Sequence, residues 1–144
     1  MEHILFVCTG NTCRSPMAEY LLRDMAERAG LSAQLEVTSA GLAACDGDPI
    51  SENAAEVLLE RNIDASRHRA RRVTTELIDR ADRIYVMTEA HRRMITAVVP
   101  EAAAKLRVMQ VSDPYGGGLD IYRECLREIE AFIRQEQIIP NSNI

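Results

Sequence analysis

A short apolar run, His3-Ile4-Leu5-Phe6-Val7, stops at Cys8 and gives way within seven residues to helix-opening signals. This junction constrains the fold more than any other feature of the chain. The run is nearly continuous rather than alternating, the pattern of a strand covered on both faces in a parallel sheet. Thr9-Gly10-Asn11-Thr12 follows as a polar turn. Ser15-Pro16-Met17-Ala18-Glu19 then reads as a helix start, with Ser15 at the N-cap, Pro16 at the first helical position and Glu19 as an early acid.

The same alternation continues along the chain. The spacing predicts a first helix to about Ala29, stopped at Gly30, and a second strand over Leu35–Ser39. Helices are expected over Ser51–Arg61, near Thr75–Arg80 and from Glu89 to Val98, with strands over Arg83–Met87 and Leu106–Met109. A long amphipathic helix from Leu119 to about Gln137 follows the glycine triplet 116–118. Strands alternating with helices imply the α/β class. The expectation is one domain over residues 1–138: a four-stranded parallel sheet flanked by helices on both faces, with a binding loop after the first strand. Residues 139–144, with Pro140–Ile144 at their end, are expected to form a frayed C-terminal tail. In such sheets ligands bind beyond the carboxyl ends of the strands, where Cys8 falls.

Charge and composition exclude several functions. A net charge of −5 argues against a nucleic-acid partner, which needs a basic face to displace phosphate counterions. Arg67, His68, Arg69, Arg71 and Arg72 form one basic cluster, whose default reading is a solvated loop. No apolar stretch approaches the ~20 residues that span a bilayer, so no membrane partner is expected. Cysteines at 8, 13, 45 and 125 make no Cys-x-x-Cys pair and, with three histidines, no zinc set. Free thiols in a reducing, cytoplasmic compartment fit best, with no metal or organic cofactor and with a monomer as the expected state.

The segment from Cys8 to Ser15 brings together what phosphoryl chemistry requires. Backbone amides of Thr9, Gly10, Asn11, Thr12, Cys13, Arg14 and Ser15 at a helix N-terminus can converge on one anion, and the helix dipole adds positive potential there. Gly10 and Asn11 tolerate the left-handed backbone that such a loop needs. A thiol in that field ionises more readily than a free one, which makes Cys8 the candidate nucleophile. Arg14 can grip two phosphoryl oxygens with a planar fork, and Ser15 can donate a hydrogen bond to the thiolate. A cysteine closing a buried strand is, alone, usually a small hydrophobe. Cysteine, five residues, arginine and serine between a buried strand and a helix are a far more specific combination.

The segment Cys8-Thr9-Gly10-Asn11-Thr12-Cys13-Arg14-Ser15-Pro16-Met17-Ala18-Glu19 resembles the signature of the low-molecular-weight protein tyrosine phosphatase family. Three later landmarks recur in that family's order: Ser39-Ala40-Gly41, His68-x-Ala70-Arg71 and Asp113-Pro114-Tyr115. The resemblance implies a phosphocysteine intermediate on Cys8, Asp113 as general acid and then base, and Asn11, Ser15, Ser39 and His68 as the hydrogen-bonded support of the loop. It also implies that Cys13 can pair reversibly with an oxidised Cys8. Cys45 and Cys125 read as bystanders.

The loop motif is closest to the protein arginine phosphatase branch. Phosphotyrosine-directed members usually carry a larger apolar residue where this chain has Thr12, and often a second aromatic where it has Gly116; the chain has no Trp. A polar guanidinium leaving group suits Thr12 and Asp113, with Tyr115 able to stack on it. The resemblance therefore implies phosphorylated protein substrates, phosphoarginine ahead of phosphotyrosine. A thiol-dependent arsenate reductase would need two further cysteines a few residues apart, and a phosphoprotein-binding module would have no use for Cys8 and Asp113 together.

Overall fold

The computed structural model describes residues 1–139; the expected fraying of Pro140–Ile144 lies outside them. Four strands form one sheet in the order β2-β1-β3-β4: β1 (Glu2–Cys8), β2 (Leu35–Gly41), β3 (Arg83–Val86) and β4 (Leu106–Val108). Every pairing is parallel, with Cys8 opposite Gly41 and Val7 opposite Val86. Among the described residues α1 (Arg14–Arg28), α2 (Glu52–Leu59), α3 (Thr75–Arg80) and α4 (Glu89–Val98) lie in the connections between strands, and α5 (Leu119–Glu136) follows β4. A 3-10 turn over Pro100–Lys105, which the sequence spacing did not suggest, leads into β4.

The two faces of β1 explain its continuous apolar run. Ile4 and Phe6 point into a core shared with α1, α2 and α5, through residues such as Met17, Leu22, Leu58, Leu126 and Ile129. Leu5 and Val7 point the other way, against Ile78 of α3, Ile95 of α4 and Ala102 of the 3-10 turn. Ile138 is buried and Ile139 packs on the first core, so the packed chain continues to the last described residue.

The turns follow their local chemistry. α1 ends in a paired hydrogen-bond closure, Leu31 N–H to Ala26 O at 2.8 Å and Gly30 N–H to Glu27 O at 3.1 Å, with Gly30 at φ 72° where a side chain would be strained. Ser51, Thr74 and Thr88 cap α2, α3 and α4 through their side-chain oxygens.

The start of α1 departs from the sequence expectation. Its N-cap is Cys13, without a side-chain capping bond, while Ser15 is already helical. The Ser15 hydroxyl is taken up elsewhere, by the thiol of Cys8, and Pro16 is still accommodated because the first turn needs no N–H there. Because β2 and β3 lie on opposite sides of β1, the loop after Cys8 opens at the point where the strand order reverses, where two diverging connections leave a crevice.

Candidate active site

The crevice is filled by the loop 8–15, and its shape rests on one buried asparagine. Asn11 is fully buried and holds φ at 58°, a left-handed conformation that Asn accepts more easily than most residues. Its Oδ1 accepts the Arg71 N–H at 3.0 Å, so its Nδ2 is the donor end, and both of those protons are used: one to Ser15 Oγ at 2.8 Å, one to Ser39 Oγ at 2.9 Å. The carbonyl of Asn11 accepts from His68 Nε2 at 2.8 Å, which places a proton on that nitrogen.

This wiring decides what Ser15 does. Its oxygen accepts from Asn11, which leaves its own proton for Cys8 Sγ, 2.8 Å away. Ser39 likewise accepts from Asn11 and donates to Glu19 Oε1, while Glu19 Oε2 pairs with Arg23 at 2.6 Å. The chain of bonds therefore runs from the thiol to a carboxylate that is only 5% exposed. Close approach of the loop to β2 requires Gly41: a Cβ there would lie 2.6 Å from Thr9 O and 3.0 Å from Asn11 N.

Arg14, at the first position of α1, is buried and donates through Nη1 to Val111 O at 3.0 Å. Its Nη2 lies 3.8 Å from Asp113 Oδ2. Asp113 stands at the edge of the crevice with its side chain 55% exposed, and its Oδ1 accepts the Tyr115 N–H at 3.1 Å, which shapes the turn. Asn53 Nδ2 reaches Gly117 O at 3.3 Å and ties the far end of that turn to α2. The loop thus carries a thiol with a hydrogen-bond donor on it and a planar cation that lies 3.8 Å from a solvent-accessible carboxylate, an arrangement able to serve nucleophilic attack on a phosphoryl group.

Other sequence candidates fall as follows. Thr9 is exposed, and Thr12 is half-buried with its carbonyl accepting the Ser51 N–H at 2.9 Å. Cys13 is buried, its thiol 3.3 Å from Ser51 Oγ and 3.4 Å from Tyr122 Oη, and burial pushes the Tyr122 phenol up to about 12, the contact with Cys13 adding to it. Tyr115 is 82% exposed, so its ring projects into solvent rather than lining a wall. The basic cluster is no uniform solvated loop: Arg67, Arg69, Arg71 and Arg72 are exposed, but His68 is buried, and Arg71 still donates through Nε to Ser39 O at 3.1 Å. Cys45 is exposed and Cys125 buried.

Sequence reasoning missed four participants: Glu19, read only as a helix-start acid; the carbonyl of Val111; Tyr122; and His91, whose Nε2 lies 2.9 Å from Thr9 Oγ1. The Ser-Pro-Met-Ala-Glu segment held a signal for Glu19, because an acid one turn past Ser15 lies on the same helix face and can reach a partner behind the loop, here Ser39. Nothing local marks the other three, which lie about 80 or more residues from their partners. No group of three or more His, Cys, Asp or Glu among the described residues is arranged to hold a metal, and no helix among them is long and apolar enough to cross a membrane.

Comparison with known proteins shows what the chain as a whole is similar to. A sequence profile of the family described as low molecular weight phosphotyrosine protein phosphatase matches residues 3–137. A protein-arginine-phosphatase of Bacillus subtilis (strain 168) is 39% identical over 141 residues, covering 92% of each chain. A probable low molecular weight protein-tyrosine-phosphatase, EpsP of Ralstonia solanacearum, is 38% identical over 136 residues, covering 90% of each. Among solved structures, the YwlE arginine phosphatase in a Cys-to-Ser mutant with a phosphorylated active site serine superposes with a TM-score of 0.88 at 36% identity, covering 98% of both chains.

Proposed function

The chain belongs to the low molecular weight phosphotyrosine protein phosphatase family, and from that premise we propose that it is a protein phosphatase that removes phosphoryl groups from arginine side chains by way of a phosphocysteine on Cys8. The observation that carries the mechanism is a loop that sets the Ser15 hydroxyl 2.8 Å from the Cys8 thiol, to which it donates, and whose Arg14 lies 3.8 Å from Asp113.

In the first step the Cys8 thiolate attacks phosphorus while the bond to the leaving nitrogen breaks, and Asp113 gives that nitrogen its proton. Arg14 and the loop amides hold the three equatorial oxygens, where charge gathers in the transition state. In the second step the Asp113 carboxylate takes a proton from water as the water attacks the phosphocysteine. The sulfur leaves as thiolate, stabilised by the Ser15 hydroxyl, and inorganic phosphate is released. Asn11, Ser39, His68 and Glu19 act by keeping the loop in shape. Four free thiols fit work in the reducing cytoplasm on phosphorylated proteins.

Support for phosphoarginine comes from Thr12, a small polar residue where a phenyl ring would want an apolar wall, and from the Bacillus relative. The second reading, phosphotyrosine, is favoured by the Ralstonia relative, nearly as similar in sequence. Turnover of matched phosphoarginine and phosphotyrosine peptides by wild type and Thr12→Ile, with Cys8→Ser as blank, separates them. Wild type should prefer phosphoarginine by about tenfold or more, and Thr12→Ile should narrow that margin, since an extra apolar contact is worth about 1–3 kcal/mol. Preference for phosphotyrosine in the wild type would leave the second reading standing.

A further inference from the structure

His91 is 5% exposed and takes no part in the two chemical steps above. It lies in the first turn of α4, its N–H on the Thr88 cap at 3.3 Å, and its ring reaches back to the loop with Nε2 2.9 Å from Thr9 Oγ1. The other ring nitrogen, Nδ1, is buried and has no hydrogen-bond partner among the described residues. Leaving a buried polar atom unpaired is destabilising, so an apolar side chain here would serve packing better. What the histidine adds is the bond to Thr9.

The location of that bond gives it meaning. The Asn11 side of the loop is held by His68, Arg71, Ser15 and Ser39. The Thr9 side, next to the nucleophile, is held at its carbonyl by the Ala43 N–H at 2.9 Å and at its side chain by His91. Among the described residues His91 makes the one side-chain hydrogen bond from α4 to the loop.

We propose that His91 is a positioning residue: by holding the Thr9 hydroxyl it orients the Thr9–Gly10 peptide, so that the amides beside Cys8 converge on the phosphoryl oxygens of the transition state. The inference rests on the reading of loop 8–15 as the phosphoryl site. Ring chemistry is consistent with it. Burial pushes the His91 imidazolium below its ordinary range, the Arg14 guanidinium adds to that, and Asp113 opposes it. The neutral ring carries one proton. On Nδ1 it would be a buried donor without an acceptor, a rarer defect than a bare acceptor, so it sits on Nε2 and His91 donates to Thr9 Oγ1. The Thr9 proton then remains to donate at the exposed mouth of the loop.

The test compares wild type with His91→Gln, His91→Leu, Thr9→Val and the His91→Leu/Thr9→Val double variant. It measures kcat/KM on p-nitrophenyl phosphate, inhibition by inorganic phosphate and by orthovanadate, and thermal melting. Vanadate forms a five-coordinate adduct on the thiolate that resembles the transition state, whereas phosphate reports ground-state binding. His91→Leu and Thr9→Val should each lose about tenfold in kcat/KM and in vanadate affinity, with phosphate affinity within about twofold, because misaligned amides are felt most where charge develops. His91→Gln, whose amide spans a similar reach, should recover most of that loss, and the double variant should be no worse than the worse single one. A wild-type ratio of vanadate to phosphate affinity in His91→Leu, or losses that multiply in the double variant, would overturn the proposal. Should His91→Leu fail to fold, Thr9→Val decides, and undiminished vanadate affinity in it is refuting. Turnover by Cys8→Ser would instead overturn the reading of the site, whatever the His91 variants do.

Discussion

Replacing Asn11 by Ala removes the piece from which the loop hangs, and the structure sets the size of the effect. Three side-chain hydrogen bonds are lost, to Ser15, Ser39 and the Arg71 N–H, at about 0.5–1.5 kcal/mol each. The left-handed backbone at φ 58° adds about 1–2 kcal/mol once the residue is Ala. Together these amount to about 3–6 kcal/mol, a fall of about 10–20 °C in melting temperature for a domain of this size. Asn11→Gly separates the two contributions, because it loses the same bonds but suits the backbone. It should recover only about 0.5–1 kcal/mol of stability, since glycine also costs conformational entropy. Its kcat/KM should stay about 100-fold or more below wild type, because Ser15 and the amides are no longer aligned. Urea unfolding and aryl phosphate turnover on the same preparations provide both readouts. Wild-type melting and turnover in Asn11→Gly would show that the loop is held by its neighbours and that the Asn11 side chain is dispensable.

Asp113→Asn keeps the shape of the acid loop but has no proton to give. It should lower kcat/KM about 10²–10⁴-fold on phosphotyrosine peptide and much less on p-nitrophenyl phosphate, whose leaving group needs little protonation; equal losses on both would refute the acid role. Burial pushes the Cys125 thiol up to about 12, so brief alkylation of the native protein at pH 8 should label exposed Cys45 and spare Cys125, as read by peptide mass analysis. Labelling of Cys125 at the rate of Cys45 would show that α5 opens more readily than its packing implies.

Much of this protein was legible in its sequence because the signals are local. The apolar run 3–7, the apolar spacing along the helices and the stop at Gly30 each act within a few residues, and so the order of strands and helices could be read before any contact was known. The proposed nucleophile and clamp and two supporting residues share the loop 8–15, which is why Cys8, Arg14, Asn11 and Ser15 could be named from spacing and residue type. Ser39, His68 and Asp113 had to be carried by resemblance. Only the packed fold brings them to the loop; for Ser39 it does so by setting β2 beside β1, with Gly41 small enough to admit Thr9 O. Tertiary contact also decided how hydroxyls were spent: Ser15 serves the thiol and leaves the cap to Cys13, because Asn11 already supplies its oxygen with a proton. His91, Tyr122 and the Val111 carbonyl left no trace in local pattern, since a hydrogen bond between residues some 80 to 110 positions apart depends on where two crossovers end and not on the residues beside either partner.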